Sequence, residues 1–304
     1  MKFDSLTSRL QGIICPMATP FSRDGEVDDS AFRANLQRFA GTGLTGVMVA
    51  GTTGEAPFLT MNERLRLTEV ARSMARSDQL VVTGTGLEST RETILLTREA
   101  ASHGADAVLV VTPGYYKSKM DHAALLAHYR AVADAAPCPV LIYSIPQCTG
   151  VQVPVGTLVA LSRHANIAGL KESSGDWAYL QSVLSSVPRR FKVFCGSVKI
   201  LPDALRKGGA GGIIGQANFA PELCAAFYDA VRQDSRKRAQ ELFSRLLPLA
   251  TEINLKYGPT SVKAAMDLSG LRGGHPRSPL LPVSAKARRE IARVLAASRS
   301  GLSL

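Results

Sequence analysis

The chain is poor in the residues from which most catalytic centres are built. Its five histidines are scattered, and its five cysteines (Cys15, Cys138, Cys148, Cys195 and Cys224) form an odd, widely spaced set. Neither shows the intervals of a metal site, so no metal is expected, and the cysteines read as reduced thiols of a cytoplasmic protein. Apolar runs stay far short of the roughly 20 residues that span a bilayer, and residues 1–5 open no signal-peptide core, so no membrane partner is expected. The glycine motifs are incomplete. Gly84-Thr-Gly86 continues without the third glycine of a dinucleotide fingerprint, and the run from Gly208 to Gly212 lacks the lysine of a phosphate loop. A nucleophilic-serine elbow is missing as well. No cofactor is expected.

Charge is abundant but uneven. The net charge is +11, and residues 235–304 hold 13 Lys/Arg against 4 Asp/Glu. A basic segment of this kind attracts nucleic acid or anionic surfaces. Here the charges are spread over helical patterns without interleaved aromatics or a nucleic-acid motif, which favours a solvated helix face and no nucleic-acid partner.

The 304 residues suit an α/β barrel with an appendage better than one ordinary domain. Eight short apolar runs, at 12–18, 46–50, 80–83, 107–112, 139–144, 167–171, 192–195 and 212–216, read as strands. Each is followed by a helical pattern, at a repeat of roughly 25–35 residues. Thr60 with Glu63 and Ser89 with Glu92 have capping-box spacing, and Gly41, Gly43, Gly104 and Gly208 fall at helix stops. The expected fold is a (β/α)8 TIM barrel over 1–234. A C-terminal helical extension over 235–304, with helices near 235–256, 260–268 and 284–297, should pack on the barrel.

In such a barrel the chemistry gathers where the strands end. Those ends read Gly51-Thr-Thr-Gly-Glu55, Gly84-Thr-Gly86, Thr112-Pro-Gly-Tyr-Tyr116, Tyr143-Ser-Ile-Pro146, Lys171-Glu-Ser-Ser174, Cys195-Gly-Ser197 and Gly215-Gln-Ala-Asn218. They offer hydroxyls and glycines, but neither carboxylate pairs nor histidine. Ten other lysines sit on polar helix faces, in loops or near helix ends, as Lys207 does before Gly208. Lys171 alone ends a buried-type strand. Taken by itself it reads most simply as a strand-end lysine reaching water. The alternative is a desolvated amine with a lowered pKa, able to attack a ketone.

Taken together, the strand-end motifs resemble those of the dihydrodipicolinate synthase/N-acetylneuraminate lyase family of class I aldolases. The resemblance covers nearly the whole chain and rests on GTTGE at 51–55, TPGYY at 112–116, YSIP at 143–146 and GLKES at 169–173. It implies a (β/α)8 barrel, usually homotetrameric, acting on pyruvate or a related 2-oxo acid. Lys171 then resembles the Schiff-base lysine, Tyr143 the proton-shuttling tyrosine and Thr52 its relay hydroxyl. Tyr116 resembles a tyrosine that reaches a neighbour's active site. Thr53, Ser173, Gly196 and Ile213 fall at substrate-binding positions.

One position departs from the synthase branch, which carries an arginine just before Thr-Gly after the tyrosine motif. Here that residue is Cys148, and a thiol cannot replace a bidentate guanidinium on a carboxylate. Four other stretches, 55–60, 88–90, 128–134 and 171–176, resemble the 4-hydroxy-2-oxoglutarate aldolase branch. The expectation is therefore retro-aldol cleavage of a 4-hydroxy-2-oxo acid to pyruvate and an aldehyde. The alternatives are condensation of pyruvate with aspartate semialdehyde, a sugar-acid aldolase or dehydratase, and a non-catalytic 2-oxo-acid-binding barrel.

Overall fold

Side chains alternate across a strand, so a closed sheet must divide its residues between an interior and an outer layer. The computed structural model, which describes residues 2–299, closes β1 (Gly12–Pro16), β2 (Gly46–Val49), β3 (Leu80–Gly84), β4 (Ala107–Val111), β5 (Val140–Ser144), β6 (Ile167–Glu172), β7 (Lys192–Cys195) and β8 (Gly211–Gly212) into a parallel barrel in chain order. Ile14, Met48, Val82, Leu109, Leu141 and Phe194 fill the interior. Their neighbours Ile13, Val47, Val81, Val108, Ile142 and Val193 face the surrounding helices and form a second, larger apolar cluster. The expected TIM barrel is thus the observed fold.

Three details differ from the sequence reading. The eighth strand is only two residues long and starts one residue early, because Gly215–Asn218 coils into a 3-10 turn. In that turn the Asn218 amide bonds Pro16 O and Gly215 O while its oxygen takes the Ala18 N–H, tying β8 to β1. A helix at Lys2–Arg9 precedes β1, and behind it Leu10 joins the interior cluster. The long helix expected at 235–256 divides into Arg236–Pro248 and a π-helical segment, Leu249–Leu255, which follows Pro248, a residue that lacks an N–H. Of the two capping boxes, Thr60 with Glu63 is complete, whereas Ser89 caps Glu92 from one side only. No described helix is long and apolar enough to cross a membrane.

One irregularity decides the site. Val140 pairs with Ile167 but Leu141 pairs with Gly169, which leaves Ala168 as an extra residue in β6. Ala168 faces the interior, and strict alternation would then turn Leu170 inward and Lys171 out. The extra residue reverses this phase: Leu170 joins the outer layer, and the Lys171 amine stands 4.1 Å above the Tyr143 ring inside the barrel. Gly169 makes the bulge fit, since a Cβ there would lie 2.0 Å from Lys192 O on β7. Gly169→Ala must therefore part β6 from β7. It is expected to cost at least about 1–3 kcal/mol in urea unfolding and to expose Lys171 to amine reagents. Wild-type stability and an equally protected Lys171 would contradict the phase argument.

Candidate active site

Strand β2 hands the chain to a strained turn. Ala50 and Glu55 both adopt left-handed backbone angles, φ 53° and 58°, which cost residues with a Cβ about 1–3 kcal/mol each. Between them Gly51 O accepts the Ala56 N–H and Thr52 O the Glu55 N–H. No hydrogen bond among the described residues occupies the N–H groups of Thr52 and Thr53. Such a turn, with adjacent free donors, suits a carboxylate.

The strain is held by charge. Glu55 is buried beneath the turn, where its carboxylate meets Lys263 Nζ at 2.5 Å and accepts the Arg277 N–H at 2.8 Å. Lys263 also donates to His275 O at 2.6 Å and lies 4.4 Å over the Phe21 ring. The Arg277 guanidinium clamps Glu63, Phe58 O and Gly25 O. Lys263 corrects the sequence reading that every lysine but Lys171 is solvated. Its helix, Thr260–Leu268, turns this face onto the barrel, and burial pulls the amine down to about 8 against the opposing pull of Glu55.

Tyr143, on the inner face of β5, places its hydroxyl 3.2 Å from Thr52 Oγ1. Burial pushes this phenol up to about 12, while Thr52 and Ser173 act in the opposite direction. Beside it Lys171 is only 4% exposed, and desolvation lowers its amine to about 7, with Cys148 opposing. Near neutrality a large fraction is the free base. Ser173, two residues on, lies against Gly196, where a Cβ would fall 1.9 Å from Ser173 Oγ. Ile213 is buried in the interior cluster and donates its N–H to Cys195 O. Lys171, Tyr143, Thr52, Ser173 and Gly196 therefore meet at one end of the barrel.

A cavity of about 490 Å³ opens beside Thr52 and Tyr143, walled by these two and by Ile145, Cys148, Thr149 and Tyr115 among others, whereas Lys171, Ser173 and Gly196 do not line it. Cys148 is solvent-accessible there; its thiol is raised by what burial it has and lowered by Lys171. Tyr116 does not line the cavity. It is 70% exposed and packs edge-on against Tyr115, itself 78% exposed. Glu88, which the sequence offered only as a branch motif, fixes this loop by accepting the N–H groups of Gly114 and Tyr115. The Glu55–Lys263 pair escaped sequence reasoning altogether; the acid within the strand-end motif was its sole signal.

Two measurements test this arrangement. Lys263→Met leaves Glu55 buried without its cation and should cost about 3–5 kcal/mol. Adding Glu55→Gln should recover part of that loss, and equal single and double losses would show no coupling. Modification of Lys171 by an amine reagent, followed by mass spectrometry, should rise with pH and level off above about 7. A rise continuing to the range of exposed lysines, about 10.4, would refute the desolvated amine.

A model of the dihydrodipicolinate synthetase family matches residues 9–298. A 4-hydroxy-tetrahydrodipicolinate synthase from Exiguobacterium is 34% identical over 280 residues, covering 92% of this chain and 95% of that protein. A probable mitochondrial 4-hydroxy-2-oxoglutarate aldolase from Emericella nidulans is 36% identical over 280 residues, 90% of each. The crystal structure of dihydrodipicolinate synthase from Acinetobacter baumannii complexed with pyruvate superposes with a TM-score of 0.90 at 30% identity, over 95% of this chain and 99% of that one. The strand-end motifs thus led to the right group of proteins, and the chain belongs to the dihydrodipicolinate synthetase family of lyases.

Proposed function

We propose that Lys171 forms a Schiff base with a pyruvate-type 2-oxo acid, and that the enzyme cleaves a 4-hydroxy-2-oxo acid, such as 4-hydroxy-2-oxoglutarate, to pyruvate and an aldehyde. The observation that carries this is the buried Lys171 amine, lowered to about 7 by desolvation, beside a Tyr143 hydroxyl linked to Thr52. The amine attacks C2 of the 2-oxo acid, and Tyr143, relayed by Thr52, protonates the departing hydroxyl as water. The N–H groups of Thr52 and Thr53 hold the substrate carboxylate, with Ser173, Gly196 and Ile213 along the rest of the acid. The iminium then accepts the electron pair of the C3–C4 bond as Tyr143 removes the 4-hydroxyl proton. An aldehyde leaves, and the enamine is protonated at C3 and hydrolysed to pyruvate and the free amine. Only side chains and water take part in these steps, with no cofactor.

Cys148 favours cleavage over synthesis, because at the cavity wall it offers no cation for the carboxylate of an aldehyde substrate. Condensation of pyruvate with aspartate semialdehyde is the second reading, favoured by the names of most of the relatives. We further read 1–234 as the barrel and 235–304 as its packed extension, and the protein as a cytoplasmic homotetramer. In that assembly the outward Tyr116 crosses to a neighbour's site.

Borohydride reduction in the presence of pyruvate should add one pyruvyl group to Lys171, detected by mass spectrometry; an unlabelled Lys171 would sink the Schiff-base reading. Pyruvate release from 4-hydroxy-2-oxoglutarate should exceed aspartate-semialdehyde consumption, and the reverse ranking would transfer the chain to the synthase reading. Tyr143→Phe should lower kcat by about 10²–10⁴ with borohydride trapping slowed but still directed to Lys171.

A further inference from the structure

Strand β6 carries two ionisable side chains in succession and sends them to opposite faces. Lys171 enters the barrel; Glu172 enters the layer between β5, β7 and the helix Trp177–Ser186, where it is completely buried. Its Oε1 accepts the Ser174 N–H at 2.7 Å, but its Oε2 has no hydrogen-bond partner among the described residues. Directly across the ladder Ser144 pairs with Glu172 in register, and among the described residues its hydroxyl is also buried without a hydrogen bond, close to the Tyr179 hydroxyl, which donates to Val153 O. The polar and titratable groups around the carboxyl are Tyr143 and Ser144 from β5, Cys195 from β7, Asp176 from the turn after β6 and Tyr179 from the helix. None of these is a cation. Lys171, on the other face, has its charge state set by burial and Cys148.

We propose that Glu172 is a positioning residue that works as a neutral carboxylic acid, joined through its Oε2 proton and one buried water to the Ser144 hydroxyl. An ionised carboxylate here would be an uncompensated buried charge. A protonated one is both donor and acceptor, so it satisfies the two orphan atoms together. The link spans the last residue pair of the β5–β6 ladder, one step beyond Tyr143 and Lys171, and thereby fixes their spacing. It also keeps a negative charge away from Tyr143, whose phenol an ionised Glu172 helps to raise.

Burial raises the Glu172 pKa, Asp176 adds to the rise, and the Ser174 contacts oppose it. A folded-state value above the unfolded one means that the group's stability contribution is complete below the ordinary carboxyl range. It is then lost as pH climbs to the folded value. Glu172→Gln copies the neutral form at every pH. Its thermal midpoint should match the wild type near pH 4.5 and exceed it by a margin that widens toward pH 8. A glutamine variant that is less stable than wild type at pH 8 and equal to it in acid would overturn the proposal. Infrared spectroscopy gives a direct readout: a protonated-carboxyl C=O stretch present at pH 7 in wild type and missing in Glu172→Gln, and its absence in both would also overturn it.

The catalytic arm rests on Lys171 as the Schiff-base amine and Tyr143 as its proton shuttle. Glu172→Gln should retain pyruvate trapping and kcat within about threefold at pH 7, whereas Glu172→Ala should lose about tenfold or more, the worth of a broken buried hydrogen bond. An alanine variant as active as wild type would refute the positioning role. Failure of wild type itself to trap pyruvate would strike the Schiff-base reading alone, because the thermal and infrared arms need no substrate.

Discussion

Everything at the active end depends on a phase constraint: a barrel strand shows every second residue to the interior, and one extra residue reverses the facing of all later ones. Ala168 is that residue. Without it, Lys171 would face the helices and Glu172 the cavity, so the same sequence would present an acid where it now presents an amine. Gly169 is the permissive partner, because β7 runs too close for any Cβ. Site chemistry here begins with backbone register, before any side-chain interaction.

The two lysines buried among the described residues show how environment divides one residue type into two electrostatic states. Both have lost water. Lys263 retains a carboxylate at 2.5 Å and a carbonyl at 2.6 Å, and it serves as a cationic rivet between the helical extension and the turn after β2. Lys171 has the face of a tyrosine and a thiol nearby but no carboxylate partner among the described residues, so desolvation prevails and lowers the amine to about 7. The rivet matters to the surroundings of the Lys171 amine. It holds Glu55, and therefore the left-handed backbone that turns Thr52 toward Tyr143 and leaves the neighbouring N–H groups free.

In the reaction proposed above, the carbonyl end and the choice of second substrate fall to different parts of the site. Lys171, Tyr143, Thr52 and Ser173 stand on strand ends braced by the barrel. Cys148, Tyr115 and Glu88 stand on the loops above, where residues change without disturbing the core. Glu88 governs the loop of Tyr115 through two backbone N–H groups, which gives that loop a fixed shape despite its exposed tyrosines.

Much of this was legible in the chain itself. The alternation of eight apolar runs with helical patterns determined the barrel, and the strand-end motifs at Thr52, Tyr143 and Lys171 pointed to the site, because strand and helix periodicity are local properties. The short β8, the π-helical break after Pro248 and the burial of Lys263 were not legible, since each depends on what packs against it. Lys171 belongs to both accounts. Sequence placed a lysine at the end of a buried strand, but whether it met water or the barrel interior was settled by a one-residue bulge. Pairing register between strands is a relation between distant segments, and only the closed fold contains it.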